Sequence, residues 1–460
     1  MLHPDRLLPT DPGLRALARD LHGAVADAPI VSPHGHTDPR WFAEDAPFPD
    51  PAALFVQPDH YVVRMLVSQG VPFDALGIGV AADPRAVWRR FAEGYHLFAG
   101  TPSRIWLDHA MAEVLGLSER LSPETADRHY DAIAEALADP ALRPRALYDR
   151  FGLEVLATTD DALSDLRHHA AIAASDWGGR VIPTYRPDAV VDADAPGWRA
   201  AVDRLGEATG CDAATWPGYL EAHRRRRAHF AAHGATATDH GHPSAATLDL
   251  PEGEAAALFA RLVRGEGAPG DAEALRAQML TEFARMSLDD GLVMQLHAGS
   301  VRNHHAGIHR RLGPDRGFDI PGRCDFVHGL RPLLNAVGMD PRLTLILFTL
   351  DEATHARELA PLAGAYPSVL LGPPWWFLDA PDAIRRWREA VTETAGFHNL
   401  AGFNDDTRAL LSIPARHDMA RRCDAAHLAR LVGAHRLDEA EAHALMPELA
   451  GGLARRAYRL

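Results

Sequence analysis

The chain has 460 residues and a formal charge of −15, with 47% hydrophobic and 24% charged residues. These proportions are typical of a globular protein, and the acidic balance argues against a nucleic acid or an anionic membrane as a partner. All 47 basic residues are Arg, because the sequence contains no Lys. The absence of Lys excludes Schiff-base enzymes, including those that use pyridoxal phosphate, and it excludes a complete P-loop.

The cysteine pattern and the N-terminal segment favour an intracellular protein. Three scattered cysteines, Cys211, Cys324 and Cys423, form neither a disulfide framework nor a Cys-rich zinc site. Residues 1–20 are interrupted by Pro and lack the apolar core of a signal peptide. No run approaches the roughly 18 apolar residues of a membrane span. We therefore expect a cytoplasmic protein with no membrane partner.

Short apolar and often β-branched runs alternate with helical stretches, a pattern typical of parallel βα units. Eight such runs are predicted as strands: Pro29–Pro33, Leu153–Thr158, Arg180–Thr184, Ala235–Thr238, Leu292–Leu296, Leu343–Phe348, Ser368–Leu371 and Leu400–Phe403. Eight βα units are typical of a (β/α)8 TIM-type barrel, and the chain is long enough for one with insertions. We therefore predict an α/β fold in which residues 1–460 form a single barrel domain.

Two long gaps between the predicted strands indicate helical additions to the barrel. Residues 40–150 are predicted to be a helical insertion that caps one rim between the first two strands, and residues 241–290 a second helical excursion. The tail after Pro414 also has helical spacing and is expected to cover the outside of the barrel. The helices predicted in the two gaps are Ala86–Ala99, Pro123–Ala138, Glu254–Arg264 and Ala272–Met286.

Polar residues follow seven of the eight predicted strands. Active sites of such barrels lie at the carboxyl ends of the strands, where side chains from several strands meet. We therefore expect the functional site at this end. The polar segments are His34–His36, Thr158–Asp161, Tyr185–Asp188, Asp239–His242, His297–Gly299, Trp375–Trp376 and Asp405–Arg408.

His34 and His36 are the first candidates for metal ligands. Two imidazoles separated by one residue at a strand end can face the same side, and neutral imidazole is a common ligand of zinc-like ions. The pattern alone is weak evidence, because His240 and His242 repeat it in a chain with 26 His. In a closed barrel the first and eighth strands are neighbours, so Asp406 can complete a set of two histidines and one aspartate.

Three further polar residues follow predicted strands. Arg186 and Arg408 each follow a strand end; a single Arg more often forms a surface ion pair, but two at one barrel mouth suggest a bidentate clamp on a carboxylate or a phosphate. His297, after the fifth strand, is either a further metal ligand or a hydrogen-bonded residue of the rim.

Two aromatic groups complete the set of candidates. His60 and Tyr61 belong to the predicted insertion, which could fold over the barrel mouth. A Tyr close to a metal and to Arg can have its pKa lowered enough to exchange protons, although Tyr61 alone would be interpreted as a helix-surface residue. Trp375 and Trp376 are either a core wedge or the floor of a sugar pocket.

Taken in chain order, these segments resemble the uronate isomerase (glucuronate isomerase) family, a divergent branch of the amidohydrolase superfamily of barrels. The spaced His pair is common across that superfamily, whereas the ordered set is far more specific and covers nearly the whole chain. The matching segments are Ser32–Pro39, Asp59–Tyr61 with Arg64, Thr158–Asp161, Tyr185–Asp188, Thr238–Gly241, Gln295–Gly299 with Arg302 and Asn303, Leu312–Asp315, Trp375–Phe377, Asp406–Arg408 and Arg416–His417.

The resemblance implies reversible interconversion of D-glucuronate with D-fructuronate and of D-galacturonate with D-tagaturonate. It implies one divalent metal ion, expected to be zinc, held by His34, His36 and Asp406. We also expect a homo-oligomer. The implied catalytic residues are Tyr61, Asp406 and Arg408, and the residues implied to bind the uronic acid are His60, Arg186, His297, Arg302, Trp375 and Trp376.

The chemistry of this reaction fits the candidate residues. Moving a carbonyl from C1 to C2 requires removal of a proton from C2 and return of a proton to C1 through an enediol. Tyr61 and Asp406 are alternative proton-transfer groups, and Arg408 can stabilise the enediolate. Arg186 and the metal can anchor the sugar carboxylate.

Two departures from the family pattern bear on substrate preference, namely residues 409–413 and residues 372–374. Two alternatives to the isomerase stay open at this point. One is a mononuclear metal-dependent hydrolase of the same superfamily, in which Asp406 would activate a hydroxide; the other is a non-catalytic barrel that binds sugar acids. A two-metal hydrolase bridged by a carbamylated Lys is excluded, because the chain has no Lys.

Overall fold

The computed structural model describes residues 2–460, and within this range eleven β-strands alternate with helices. The α/β class predicted from the sequence is confirmed. The strands are β1 Ile30–Ser32, β2 Leu153–Ala157, β3 Asp160–Asp161, β4 Val181–Ile182, β5 Tyr185–Arg186, β6 Ala237–His240, β7 Val293–His297, β8 Ser300–Val301, β9 Ile320–Pro321, β10 Leu345–Phe348 and β11 Val369–Leu371.

These strands form two parallel sheets. One has the order β1–β2–β4, and the other has the order β11–β10–β7–β6–β5–β3. The same two chain segments pair in both sheets, because β3 follows β2 and β5 follows β4 after a two-residue break. Strands β8 and β9 form a separate antiparallel pair. Parallel pairing brings the carboxyl ends of the strands to one edge, where ligand sites of α/β proteins lie.

The predicted eighth strand, Leu400–Phe403, is wrong as an extended strand. Leu400 forms only an isolated parallel bridge with Leu371. The chain then reaches Gly402, whose φ of +83° lies outside the extended region. Extended pairing therefore stops after one bridge, and the segment continues as a loop toward Asp406.

Several other strand ends differ from the prediction by a few residues. The predicted fourth strand ends at Thr238, whereas β6 continues to His240. The predicted third strand ends at Thr184, but β5 extends the same segment to Arg186. His297 is the last residue of β7 and not the first residue after it.

Helices occupy most of the chain between β1 and β2. The predicted helix Ala86–Ala99 is interrupted, because α5 ends at Glu93 and a 3-10 turn, Tyr95–Phe98, follows Gly94. The helices up to β2 are α1 Pro12–Gly23, α2 Pro39–Glu44, α3 Pro51–Phe55, α4 His60–Ser68, α5 Pro84–Glu93, α6 Pro102–His109, α7 Ala126–Ala136 and α8 Pro144–Arg150; further 3-10 turns are Phe73–Leu76 and Pro140–Leu142, and Ala110–Val114 is a π-turn.

The helices that follow β2 include the longest among the described residues, α20 being one of them, in agreement with the helical tail predicted after Pro414. They are α9 Arg167–Ala173, α10 Asp188–Val191, α11 Trp198–Thr209, α12 Trp216–Ala232, α13 Glu252–Val263, α14 Asp271–Asp290, α15 Ala306–Leu312, α16 Phe326–Gly329, α17 Arg331–Val337, α18 Glu352–Ala365, α19 Pro381–Ala395, α20 Ile413–Gly433, α21 Glu439–Pro447 and α22 Leu453–Tyr458, with 3-10 turns at Trp376–Leu378 and Leu410–Ser412 and a π-turn at Glu448–Gly452.

Aspartate side chains begin several of the helices near the site. Asp38 and Asp50 accept hydrogen bonds from first-turn N–H groups of α2 and α3, each of which starts with Pro. At α4, a carboxylate oxygen of Asp59 accepts from the N–H of Tyr61 at 2.8 Å and of Val62 at 3.3 Å. This cap sets the starting residue of α4 and so places His60 and Tyr61.

Side chains of the central strands alternate between two packing environments. Ala237, Val293 and Ile346 share a buried cluster with Ala457 and Tyr458 of the last helix. Their neighbours along the strands pack in the large cluster formed with the surrounding helices. Because the alternation has a period of two, polar residues two positions further along a strand continue the same face.

No helix among residues 2–460 combines the length and the apolar character that crossing a bilayer requires.

Candidate active site

A cleft of about 910 Å³ opens at the carboxyl ends of the parallel strands. The structure places every residue selected from the sequence in the wall of this cleft, although their chemical roles stay predictions. Other residues of the wall include several acidic groups that the sequence selection omitted. The selected residues found there are His34, His36, His60, Tyr61, Arg186, His297, Arg302, Trp375, Trp376, Asp406 and Arg408.

His34, His36 and Asp406 converge on one point of the cleft. The Nε2 atoms of His34 and His36 lie 3.3 Å and 3.1 Å from the same oxygen, Oδ1 of Asp406. Their three ligand atoms lie within 4.8 Å of one another. Two imidazole nitrogens and one carboxylate oxygen form a donor set that fits a zinc-like divalent ion. These residues are therefore a candidate metal site.

Burial and charge set the protonation of this group. Burial lowers the pKa of His36 to about 4, so this imidazole is neutral at pH 7 and ready to act as a ligand. Burial also opposes charging of His34, but the hydrogen bond to Asp406 and the charges of Asp239 and Asp406 outweigh it and raise the pKa of His34. The same imidazoles hold the pKa of Asp406 well below its usual value, against the effect of burial.

A second group is centred on Asp239, which is fully buried. Its Oδ1 lies 2.6 Å from Nδ1 of His297, and its Oδ2 lies 3.1 Å from Nη1 of Arg186. Arg186 also donates from Nε to Asp188 at 2.7 Å. The ring of His297 stacks on that of His34 at 4.6 Å, so this group adjoins the candidate metal site.

The charges of the second group stabilise one another. The Arg186 guanidinium and His297 hold the pKa of Asp239 well below its usual value in spite of burial. Burial lowers the pKa of His297, although Asp239 opposes that change. His34, Asp239 and His297 also place ligand atoms within 4.8 Å of one another, but the carboxylate of Asp239 already holds Arg186 and His297.

Asp239 was missed as a site residue in the sequence, although a signal was present. It is the first polar residue after the predicted fourth strand and belongs to a segment that matches the family.

The neighbouring pair His240 and His242 has a different environment. His240 lies in β6 and packs against Phe283. Its Nε2 forms a hydrogen bond with the Thr238 hydroxyl, with 3.0 Å between the two atoms.

His60 and the two tryptophans form one wall of the cleft. The indole N–H of Trp376 donates to Nε2 of His60 at 2.9 Å. Burial, followed by the charge of Arg408, lowers the pKa of His60 to about 3, so His60 is a neutral acceptor. The Trp375 ring meets that of His297 edge-on at 4.7 Å. Both tryptophans line the cleft and also pack in the buried cluster that contains Ala237 and Val293, so the choice between a core wedge and the floor of a sugar pocket stays a prediction.

Tyr61 lines the cleft between the ring of His60, at 4.4 Å, and the guanidinium of Arg416, at 5.8 Å. Burial raises the pKa of Tyr61 well above its usual value, and the charge of Arg416 offsets this only in part. The predicted lowering of this pKa is therefore wrong for the chain alone. Tyr61 keeps its proton at neutral pH and can act as a hydrogen-bond donor.

Two ion pairs tie the connection between β8 and β9 to the cleft. Arg408 Nη2 lies 3.1 Å from Asp315 Oδ1, and Arg302 Nη1 lies 3.0 Å from Asp319 Oδ2. The guanidinium of Arg302 also lies 5.2 Å from the ring centre of Trp376. Asp315 ends the segment Leu312–Asp315, which matches the family but has no predicted role. The Arg408 pair gives it a contact with a predicted catalytic residue.

These observations define an α/β enzyme whose cleft joins a candidate metal site to several arginines at the carboxyl ends of parallel strands. The family model for glucuronate isomerase matches residues 14–452. A uronate isomerase of Rhizorhabdus wittichii is 63% identical over 100% of this chain and 98% of its own length.

Solved structures agree with these sequence comparisons. A glucuronate isomerase from Caulobacter crescentus superposes with a TM-score of 0.98 at 56% identity, covering 100% of this chain and 97% of that one. A uronate isomerase from Thermotoga maritima superposes with a TM-score of 0.93 at 29% identity, covering 100% and 99%. The chain belongs to the uronate isomerase family and is an isomerase of the intramolecular oxidoreductase class. Family membership decides for the isomerase over the hydrolase and the non-catalytic barrel.

Proposed function

We propose that the protein interconverts D-glucuronate with D-fructuronate and D-galacturonate with D-tagaturonate. The observation that carries this proposal is one cleft that joins two cationic groups, Arg186 and Arg408, to a His–His–Asp set and a protonated Tyr. A uronic acid carries a carboxylate at one end of its chain and an aldehyde at the other. Its recognition needs a fixed cation at one end and proton-transfer groups at the other.

Arg186 is the proposed anchor of the sugar carboxylate. Its guanidinium is held from two sides by Asp188 and Asp239, so its orientation is fixed before the substrate arrives. Preorganised donors lose less entropy on binding than mobile ones. His297 and Arg302 lie on the same wall as Trp375 and Trp376, and we assign these groups to the contacts with the sugar hydroxyls.

His34, His36 and Asp406 are the proposed ligands of one divalent ion, and zinc suits this set of nitrogen and oxygen donors. A bound zinc ion would supply positive charge that holds and polarises oxygen atoms of the substrate. The neutral form of His36 and the ionised form of Asp406 support this assignment, because metal ligands must be deprotonated.

Proton transfer is assigned to groups of the chain. Asp406 is ionised and takes the proton from C2, and the same carboxyl group returns a proton to C1. Tyr61 keeps its own proton and donates a hydrogen bond to the oxygen that becomes negative, while the Arg408 guanidinium stabilises the enediolate. The C2 hydroxyl loses its proton as the C1 oxygen gains one, so the aldehyde becomes a hydroxymethyl group and C2 becomes the ketone.

Assays with both sugars test this proposal. The protein is incubated with D-glucuronate or D-galacturonate, with and without zinc, and the ketouronate formed is measured. Exchange at C2 is then followed by NMR in deuterated water for the wild type, Tyr61→Phe and Asp406→Asn. We expect ketouronate from at least one sugar, loss of exchange in Asp406→Asn, and slowed turnover in Tyr61→Phe. Undiminished exchange in Asp406→Asn would show that this carboxylate is not the base.

Larger-scale expectations complete the proposal. We propose that the two sheets belong to one (β/α)8 barrel, since His36 N–H donates to the Thr407 carbonyl at 2.9 Å across the seam between the first and last segments. Residues 40–150 form its helical cap and residues 241–290 a second excursion within one domain. We also propose a homo-oligomer in the cytoplasm, with three free cysteines that suit a reducing compartment. Sedimentation analysis tests the oligomer.

A further inference from the structure

A buried ion pair between Arg416 and Asp379 lies behind the candidate metal site. Their side chains are 2% and 4% exposed, and one Asp379 oxygen accepts a hydrogen bond from Arg416 Nη1. Arg416 belongs to α20, and Asp379 lies just before α19. A buried pair of this kind is weak evidence for stability, because desolvation of the two charges offsets their attraction. Its contacts therefore have to show what the pair does.

Arg416 contacts one of the two residues that flank Asp406 directly and the other through a serine. Its Nη1 donates to the backbone carbonyl of Asp405 at 3.1 Å, and its Nε donates to the hydroxyl of Ser412 at 3.1 Å. The Ser412 hydroxyl in turn lies 2.9 Å from that of Thr407. One guanidinium thus holds the chain directly on one side of Asp406 and through one serine on the other.

Asp406 needs such support because its backbone is strained. Its φ is +44°, in the left-handed region that residues other than Gly seldom adopt. A residue held in this region is strained and persists only where its surroundings fix it. The N–H of Asp406 has one long hydrogen bond, 3.3 Å, to the carbonyl of His34. Two buried side chains contact Asp405, the residue before Asp406: Arg416 through the backbone carbonyl, and His417, whose Nε2 lies 3.1 Å from Oδ2.

We infer that the Arg416–Asp379 pair is a positioning unit that fixes Asp406 in the backbone conformation in which its carboxylate faces both His34 and His36. Asp379 orients the guanidinium, and the guanidinium fixes the turn on both sides of Asp406. Arg416 lines the cleft, but its Nη1 and Nε hold Asp379, Asp405 and Ser412, and we assign it to positioning. The inference rests on the proposed metal ligands.

The aromatic surroundings give the guanidinium little freedom. Its central carbon lies 3.4 Å from the centre of the Trp106 ring and 5.8 Å from that of Tyr61. Stacking on Trp106 fixes the plane of the guanidinium, and a planar fork is needed to reach Asp379, Asp405 and Ser412 together. A Lys at this position has one ammonium group in place of the fork and cannot reproduce the three contacts.

The test compares Arg416→Met with a matched control in the full chain. Arg388 and Asp424 form a second buried pair, 7% and 2% exposed, with 2.6 Å between Nε and Oδ1. This pair joins α20 to α19, the helix that begins just after Asp379, but neither residue lines the cleft. Arg388→Met therefore reproduces the loss of a buried charge between these helices without touching Asp406.

Two readouts besides activity decide the inference. Zinc affinity is measured by competition with a chromogenic chelator, and amide hydrogen exchange is measured for the peptide that contains residues 404–408. Support around metal ligands typically changes affinity by ~10- to 100-fold. In Arg416→Met we expect a loss of zinc affinity of this size and faster amide exchange in residues 404–408. In Arg416→Lys we expect zinc affinity and exchange to recover in part, and in Arg388→Met we expect neither to change. At saturating zinc, kcat falls in Arg416→Met while KM for D-glucuronate stays unchanged.

The opposite results separate the alternatives. Unchanged zinc affinity and unchanged exchange in Arg416→Met overturn the inference, and a raised KM with normal zinc affinity makes Arg416 a substrate contact instead. If Arg416→Met does not fold, Arg416→Lys and Asp379→Asn are measured in the same way. If the wild type binds no more zinc than Asp406→Asn, the proposed metal site fails, and hydrogen exchange alone then decides whether Arg416 positions the turn.

Discussion

Asp239→Asn removes one negative charge from the centre of the cleft while keeping the shape of the side chain. In the wild type the carboxylate holds His297 through Oδ1 at 2.6 Å and Arg186 through Oδ2 at 3.1 Å. An amide has one acceptor oxygen and one donor nitrogen, so it cannot accept from both partners. The replacement leaves either His297 or Arg186 without its acceptor and facing an N–H group.

The size of the effect follows from these two contacts. A hydrogen bond to a charged group contributes ~1.5–3 kcal/mol, and a neutral one ~0.5–1.5 kcal/mol. One contact is therefore weakened by roughly 1–1.5 kcal/mol and the other is lost at a cost of roughly 1.5–3 kcal/mol, which gives roughly 2.5–4.5 kcal/mol for both. Arg186 keeps its bond to Asp188, which limits the loss of folding stability. If both residues bind the reacting sugar, kcat/KM falls roughly 70- to 2,000-fold.

Steady-state kinetics with D-glucuronate measure this effect, and thermal unfolding checks that the variant is folded. Asp188→Asn is the matched control, because it removes the other carboxylate of Arg186 while leaving His297 untouched. We expect less than a tenfold decrease in kcat/KM for the control. A value for Asp239→Asn within threefold of the wild type would refute the role assigned to this carboxylate.

Three further predictions follow from the same cleft. Chelation of the metal should abolish turnover and lower the melting temperature. Added zinc should restore both in the wild type but not in His36→Asn. Turnover that survives chelation contradicts the metal assignment. Trp376→Phe removes the hydrogen bond to His60 and should lower kcat/KM by ~2- to 10-fold, whereas no change would show that this contact does not orient the wall. Burial lowers the pKa of His36 to about 4 and those of His60 and His223 to about 3, so these imidazoles take up protons in the unfolded chain before the folded one. The free energy of unfolding of the metal-free protein, measured by urea unfolding, should be highest above pH ~6.5. It should fall on acidification toward pH ~4 by up to ~1.4 kcal/mol per pH unit for each histidine. His223→Gln should reduce this slope, and a flat profile contradicts the buried neutral histidines.

The strands of the central sheets could be predicted from the sequence because they are buried on both faces. Segments such as Leu345–Phe348 are short apolar runs without alternation, as parallel strands covered by helices require. The segment Leu400–Phe403 is apolar for the same reason, but it does not pair as a strand. Its Gly402 has a positive φ, and a composition rule cannot show whether a glycine is in the extended or the left-handed region.

Long-range partners were the part of the site that the sequence could not supply. The pair of Arg416 with Asp379 and that of Arg408 with Asp315 each join residues far apart in the chain. Nothing local requires either pairing, since a charged residue can be satisfied by solvent or by many partners. The convergence of the predicted residues in the cleft could be predicted without knowing such partners. The carboxyl ends of parallel strands meet at one edge of the sheet, whatever path the connecting loops take.

The two spaced histidine pairs differ in where the preceding strand ends. A shift of two residues in a strand end decides whether a histidine is a candidate ligand or a packing residue. β1 ends at Ser32, so His34 and His36 lie beyond the strand and turn toward Asp406. β6 continues to His240, two residues past the predicted end, and alternation then directs Asp239 and His240 to opposite faces. Asp239 reaches the cleft beside Arg186, while His240 packs against Phe283 among the helices. The same two-residue spacing gives a candidate metal set in one place and a buried neutral imidazole in the other, so the register of the strand and not the motif decides the environment of each histidine.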